Sequence, residues 1–192
     1  MSRGITLLEL MMAIVLIAVI SSAAVSFADS MIDRSRTSAA ASYMSSQIAL
    51  ARLEAVKRSA FVAIQFVDSP DGYQFRTYLD GNHNGVLTRD ITRGIDVPIT
   101  TGLRLDQEFP LIAFGIYPEV TSIDPGETLN LNDPIQIGSS TLMSFSPNGS
   151  CTAGTLYIRG PRASQFAVRV LGVTGRTRIL RFDFQEQKWR TP

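Results

Sequence analysis

Cysteine and histidine are almost absent from this sequence. Among its 192 residues, Cys151 is the one cysteine and His83 the one histidine. A single cysteine excludes an internal disulfide and any zinc site built from several cysteines. A histidine-based catalytic triad would require unusual chemistry. We also find no nucleophile paired with a base, no phosphate-binding loop and no zinc-ligand spacing, so the sequence does not indicate an enzyme.

Charge is also scarce and is unevenly distributed. Charged residues make up 18% of the chain and the mean hydropathy is +0.12, whereas ordinary globular chains carry about 25% charged residues. This shortfall indicates that part of the sequence belongs in lipid. The net charge is +2 over residues 1–67, −7 over 68–133 and +6 over 134–192. The fold therefore has a polar field unless its strands interleave and cancel these charges.

The amino-terminal segment 5–28 is apolar or small at every position except Glu9, apart from a few serines and one threonine. A helix over this segment is about 36 Å long, which is enough to cross a bilayer. The apolar run is too long for a secretory signal. The sequence predicts a transmembrane helix, with a buried core helix as the alternative.

Glu9 is the exception in this segment, and a carboxylate near hydrocarbon requires a partner. A cut between Gly4 and Ile5 would create an ammonium group four residues before Glu9, which is about one helical turn. The same carboxylate is placed to pair with the amine of a neighbouring chain. The alternative is a carboxylate that extends toward the lipid headgroups.

The order Met1-Ser2-Arg3-Gly4 followed by Ile5-Thr6-Leu7-Leu8-Glu9-Leu10 resembles the class III leader of type IV pilins and type II secretion pseudopilins. The resemblance implies that prepilin peptidase removes residues 1–4 by cutting after Gly4. It further implies that Ile5 becomes the N-methylated first residue and that Glu9 guides assembly. Ile5 departs mildly from the usual phenylalanine or methionine.

The segment 29–59 continues the helical pattern with an amphipathic composition. Proline and glycine are missing from residue 5 to residue 59, which predicts one continuous helix. Apolar residues recur at spacings of three and four, at Ala41, Met44, Ile48, Ala51 and Ala55. The run from Ala51 to Arg58 resembles the end of the helix in minor pilins and pseudopilins of the GspH/FimT type.

From residue 60 to residue 192 the pattern changes to the alternation that is typical of strands. The segments that alternate are Val62–Phe66, Tyr73–Leu79, Leu142–Phe145, Thr155–Ile158, Phe166–Leu171 and Thr177–Phe184. Residues 96–138 contain five prolines and predict irregular loops with short strands. We expect an α+β fold, the pilin-like lollipop, in which a long amino-terminal helix, its first half transmembrane, packs on a carboxyl-terminal antiparallel β-sheet domain.

The segment from Asp80 to Asp90 resembles a calcium loop of the Asp-x-Asn-x-Asn-Gly kind. Alternate oxygens would converge on one cation, while Gly85 permits the sharp bend. The twelfth position is Ile91 rather than the usual glutamate, and the acid comes one place early. The alternative is a hairpin loop without metal. The candidate calcium ligands are Asp80, Asn82, Asn84, Val86 through its carbonyl, and Asp90.

The basic carboxyl end contains Thr174-Gly175-Arg176-Thr177-Arg178. Residues two apart in a strand lie about 6.6 Å apart on one face, which suits contacts to successive phosphates. The sequence resembles the Gly-Arg-x-Arg element of FimT-like pilins, which implies DNA binding by Arg176 and Arg178. The alternatives are an edge strand made soluble by arginines, or pairing with the acidic middle segment. Leu180 and Phe182 follow on the same face, so the arginines share it with core residues if the strand begins at Arg176.

Together these features resemble a minor pilin or minor pseudopilin of the GspH/FimT family. The resemblance implies a single-pass inner-membrane protein with its globular domain in the periplasm, which later enters a pilus or pseudopilus. The implied partners are other pilin or pseudopilin subunits, prepilin peptidase and the inner-membrane assembly platform. No cofactor is implied, and calcium is the candidate ligand. The alternative function is that of a DNA receptor in natural transformation, and the choice between pilus and secretion pseudopilus stays open.

Overall fold

A single long helix forms the amino-terminal part of the protein. The structure, a computed structural model, describes residues 6–124, 126–138 and 140–192, with the side chains of residues 22–28 outside the description. Helix α1 (Leu7–Arg58) runs for 52 residues without a break, because no proline or glycine interrupts it. It ends at Ser59, which adopts a left-handed conformation with φ of 50° and donates its backbone N–H to Ala55 and Val56.

The rest of the described chain is mostly extended. Two short helices, α2 (Thr88–Thr92) and α3 (Leu105–Glu108), interrupt it. The strands in chain order are β1 (Val62–Val67), β2 (Gln74–Leu79), β3 (Val97–Pro98), β4 (Leu103–Arg104), β5 (Ala113–Phe114), β6 (Ile135–Gln136), β7 (Leu142–Phe145), β8 (Gly154–Arg159), β9 (Gln165–Leu171), β10 (Arg176–Asp183) and β11 (Lys188–Arg190).

The described strands form two antiparallel sheets. Sheet A has the order β3-β2-β1-β7, and β4 also pairs with β2. Sheet B has the order β11-β10-β9-β8-β5, and β6 also pairs with β8. A bridge between Phe145 and Cys151 joins the end of β7 to the segment that leads into β8. The α+β fold class predicted from the sequence is confirmed.

The main core lies between α1 and both sheets. Helix α1 contributes Met44 and Ile48, which are fully buried, and each such side chain adds about 1.5–3 kcal/mol on burial. The sheets contribute large side chains from both sides, including Phe66, Phe145 and Phe166. The helix therefore supplies part of the core of the globular region, in agreement with the periodicity.

A second cluster covers part of sheet B and contains no residue of α1. It consists of Tyr157, Ala167, Leu180 and Phe182, packed beneath Ile116, Val120 and their neighbours from the segment after β5. Trp189 joins this cluster from β11, with its ring centroid 5.2 Å from that of Phe182, and donates its indole N–H to Thr121 at 2.8 Å. Trp189 therefore packs in this second cluster and not against α1.

Candidate functional site

The amino-terminal end of α1 is closed by a reciprocal capping arrangement between Thr6 and Glu9. The Glu9 backbone N–H donates to Thr6 Oγ1 at 3.3 Å, and the Thr6 backbone N–H donates to Glu9 Oε2 at 2.9 Å. This capping box satisfies donors that a helix end otherwise leaves unpaired. It also turns the Glu9 carboxylate toward the start of the helix, where the predicted cleavage site lies. Gly4 and Ile5 themselves lie outside the described residues.

The first part of α1 is not covered by the rest of the described chain. Its large apolar side chains from Leu7 to Ile20 are all at least half exposed, with Leu7 at 77% and Leu10 at 53%. Within the described part of the protein, no helix is both long enough and apolar enough to span a membrane. The predicted membrane segment includes Ile5 and the side chains of residues 22–28, which lie outside the description.

The loop after β2 is organised around the buried carboxylate of Asp80. Its Oδ1 accepts the backbone N–H groups of Asn82 at 3.1 Å and His83 at 2.8 Å, and its Oδ2 accepts that of Gly85 at 2.8 Å. Gly85 has φ of 88°, a conformation that glycine adopts readily. The side chain of Val86 is buried in a small apolar cluster. The carboxylate thus stabilises the bend directly.

Two further aspartates complete this loop. Asp90 Oδ2 accepts the amide groups of Asn84 at 3.1 Å and Asn82 at 3.4 Å. These two hydrogen bonds lower the pKa of Asp90, and the bond from Asn84 has the larger effect. Asp96, which the sequence analysis missed, is 1% exposed and accepts the N–H groups of Gly81 at 3.0 Å and Leu87 at 2.9 Å.

The loop is therefore closed by hydrogen bonds of its own. In the described residues, no group of three or more histidine, cysteine, aspartate or glutamate side chains is placed to hold a metal ion. The calcium ligand set of Asp80, Asn82, Asn84, Val86 and Asp90 comes together in one loop, with the two asparagine amides on Asp90. Calcium binding stays a prediction.

The two arginines of the basic motif lie at the start of β10. Arg176 and Arg178 are exposed, while Thr177 between them turns to α1 and bonds Ser45 at 2.5 Å. Neither guanidinium forms an ion pair with another described residue. Two unpaired positive charges thus point away from the helix on one face of sheet B.

This face changes character along β10. Leu180 and Phe182 are buried beneath the segment after β5, but this cover does not extend to Arg176 and Arg178. The strand begins at Arg176, so the arginines share a face with core residues and are still exposed. In register, Arg178 stands opposite Arg169 of β9, whose charge is offset by Asp124 at 2.8 Å.

The turn before these arginines is fixed by a side chain from α1. Arg52 donates its Nε–H to the carbonyl of Gly149 at 2.8 Å. Gly175 has φ of 62°, and a Cβ added there would lie 2.6 Å from Arg52 Cδ. Arg52 therefore occupies the space between the β7–β8 turn and the β9–β10 turn. The glycine of the motif has a structural role that is independent of any ligand.

Two known protein families match parts of this chain. The profile of the family described as "Type II transport protein GspH" matches residues 40–175, which is 136 of the 192 residues. The chain belongs to the GspH family. A second profile, the "Prokaryotic N-terminal methylation motif", matches residues 1–25. No curated protein and no solved structure matched the chain in the corresponding comparisons.

The two matches cover different parts of this GspH-family chain. The methylation motif contains Gly4, Ile5 and Glu9. The GspH match contains the end of α1 from residue 40, the Asp80 loop and Gly175. Arg176 and Arg178 lie just beyond the family match. The predicted resemblance to the GspH/FimT family and its N-methylation motif is confirmed, and the chain is pilin- or pseudopilin-like.

Sequence reasoning missed Arg52, Asp96 and Arg169 as organising residues. Arg52 lies in the run that resembles the family's helix end, which was the available signal. The sequence around Asp96 carried no such signal, because its partners are the backbone N–H groups of Gly81 and Leu87, 15 and 9 residues earlier in the chain. The role of Arg169 follows only from the pairing of β9 with β10, which places it opposite Arg178.

Proposed function

We propose that the chain is a minor subunit that assembles into, or primes, a type IV pilus or a type II secretion pseudopilus. The observation that carries the proposal is a long helix with two different halves. Its second half is built into the core of the globular region, whereas the first half exposes large apolar side chains from Leu7 to Ile20. Such a surface requires lipid or other apolar helices around it.

In the proposed assembly pathway, the subunit is first inserted into the inner membrane. Segment 5–28 spans the bilayer once, and the globular domain lies in the periplasm. Prepilin peptidase removes residues 1–4, and the new amine of Ile5 is N-methylated. The assembly platform then moves the subunit from lipid into a fibre, where the helices of other subunits cover its apolar stem.

Glu9 is the proposed assembly residue. Its carboxylate already bonds the N–H of Thr6, which is adjacent to the amine that cleavage would create at Ile5. A pair between Glu9 and the amine of the next subunit would neutralise two charges in an apolar setting, where either charge alone is costly. Because the pair joins fixed positions on two helices, it also sets their axial offset.

Glu9→Ala tests this assignment. We expect the variant to be cleaved and inserted but to be depleted from sheared fibres by at least tenfold, which corresponds to the loss of about 1.4 kcal/mol or more in association. Quantitative mass spectrometry of the fibre fraction measures incorporation and the mature amino terminus. Glu54→Ala is the control, since Glu54 lies on the same helix and pairs only with Lys57 and Arg58 among the described residues. Normal incorporation of the Glu9 variant would contradict the pairing, and a first residue other than Ile5 would contradict the processing.

A second candidate function is DNA binding in natural transformation. It is favoured by the exposed guanidinium groups of Arg176 and Arg178 at the start of β10, which form no ion pair with another described residue. Their spacing of about 6.6 Å suits phosphate contacts. Aromatic side chains do not flank the two arginines in sequence, so backbone contact is a better match than base stacking.

A duplex-binding titration tests this candidate. We expect the full chain in neutral detergent to bind with an affinity that falls steeply with salt, and the Arg176→Gln/Arg178→Gln variant to bind at least tenfold more weakly with a salt slope reduced by about 2. Arg89→Gln/Arg93→Gln removes the same charge from α2 and its end and serves as control. Equal binding by the two double variants would refute this site.

A further inference from the structure

We propose that a cleft at the base of the globular region binds the phosphate group of an anionic lipid. This base cleft has a volume of about 450 Å³ and lies between α1, the β8–β9 turn and the β10–β11 hairpin. The proposal rests on the membrane anchor of the proposed function. The residues of the base cleft that carry it are Ser30, Arg34, Arg162, Ser164, Arg181 and Asp183.

Two buried donors in the base cleft have no hydrogen-bond partner among the described residues. Ser164 is 7% exposed, and its Oγ is unpaired, as is Nε of Arg181. Buried polar atoms are nearly always paired in folded proteins, so two unpaired donors on residues that line one cleft leave hydrogen-bonding capacity that a ligand acceptor in the cleft would use. An oxyanion with several acceptor oxygens suits a hydroxyl and a guanidinium together.

The charge of the base cleft favours an anion. Arg34, Arg162 and Arg181 line it, and Arg162 shares its charge with Asp29 at 2.7 Å. Asp183 also lines it, but its carboxylate is engaged elsewhere. Its Oδ1 accepts the N–H groups of the β10–β11 turn, and its Oδ2 faces Arg190 at 3.8 Å. The remaining positive charge is presented by arginine, whose planar donor group matches phosphate oxygens.

Position and surroundings favour a lipid over a free ion. Ser30 and Arg34 come two and six residues after the predicted membrane segment ends, which is about 3 and 9 Å along a helix. This is the level at which headgroups would lie. A neighbouring cleft of about 500 Å³ shares Arg34 and Arg181 and adds the side chain of Met31, which is 59% exposed. A free phosphate gains nothing from an apolar neighbour, whereas the glycerol and upper acyl chain of a lipid do.

Thermal unfolding of the full chain in nanodiscs tests the proposal. One set contains phosphatidylcholine alone, and the other contains phosphatidylcholine mixed with phosphatidylglycerol. We expect the melting temperature to be a few degrees higher with phosphatidylglycerol, because a ligand that binds only the folded state raises stability. Arg34→Gln and Ser164→Ala should each lose most of this shift. Arg93→Gln, an exposed arginine at the end of α2, should keep it.

Each other outcome overturns the proposal. Equal melting in the two lipid sets, or an equal loss in Arg93→Gln, would show that the base cleft does not select an anionic headgroup. The same shift from inorganic phosphate in phosphatidylcholine nanodiscs would assign the base cleft to a free anion. A chain that does not enter nanodiscs at all would overturn the membrane anchor as well, whereas one that enters without lipid preference would refute the cleft alone.

Discussion

At the scale of single residues, Gly175 shows how one position can carry both a turn and a helix contact. We expect Gly175→Ala to cost about 1 kcal/mol for the left-handed conformation and a further 1–3 kcal/mol or so for overpacking against Arg52. The melting temperature of the full chain in neutral detergent, followed by circular dichroism, measures the loss.

Gly94→Ala is the matched control for this substitution. Gly94 has φ of 71°, but a Cβ added there would meet nothing within 4 Å. Gly94→Ala should therefore lose only the stability that the left-handed backbone conformation costs, without the overpacking cost. If both variants melt at the same temperature, the contact between Arg52 and the β9–β10 turn does not constrain position 175.

Asp33 is a buried carboxylate whose burial raises its pKa, against the lowering effects of the Arg162 backbone N–H and the Arg162 and Arg36 charges. Its Oδ1 is unpaired among the described residues. A carboxyl group with a raised pKa in the folded state loses its stabilising contribution as pH rises. We therefore expect Asp33→Asn to be more stable than the natural chain by about 1 kcal/mol at pH 7, with the difference vanishing below the usual aspartate pKa of about 3.9.

Asp106 supplies a control of opposite sign. The hydrogen bond from Arg104 lowers the pKa of Asp106, so its contribution is present at neutral pH and is lost on acidification. Asp106→Asn should be less stable than the natural chain at pH 7 and converge with it at low pH. Melting curves across this pH range measure both variants, and parallel pH profiles for the two would contradict the assignment of Asp33.

At the scale of elements, the loop from Asp80 to Asp96 depends on its carboxylates. We expect Asp80→Ala to lower the melting temperature even with a chelator present, because the backbone N–H groups of Asn82, His83 and Gly85 lose their acceptor. The cost is about 1–3 kcal/mol for the donors left unpaired. Thermal unfolding with the chelator measures this part.

Calcium binding adds a separate requirement to the same measurement. The natural chain should melt at a higher temperature in millimolar calcium than with the chelator, and Asp80→Ala should show no such rise. Identical melting of the natural chain in the two conditions would contradict the calcium prediction. The hydrogen-bonded hairpin loop would then be the whole explanation of the motif.

The longer strands could be predicted because alternation is a local signal. The segments Leu142–Phe145 and Phe166–Leu171 coincide closely with β7 and β9. Strand β11 was not predicted, since three residues with exposed ends carry too little alternation. Its position also decides where Trp189 packs, which is in the second cluster on Phe182.

At the scale of the whole molecule, the amino-terminal methylation motif, the long helix and the α+β class could be predicted from consecutive residues. The contacts that join distant parts could not, because the sequence does not contain their geometry. Arg52 meets Gly149 across 97 positions. The segment charges alone do not show whether the acidic middle and the basic end neutralise each other. Arg169 and Asp124 form an ion pair between these two segments, so their charges cancel at this one pair of described residues.

The place of α1 in the main core also has a consequence for biosynthesis. The helix leaves the ribosome first, yet β10, against which it packs, ends about 125 residues later. At translation rates of about 5–20 residues per second, this delay is roughly 6–25 s. Until then the main core, which contains Met44 and Ile48, lacks the side chains that the later strands supply. The nascent chain therefore presents a second apolar surface in addition to the exposed first half of α1, and a chaperone that shields it would raise the yield of folded subunits.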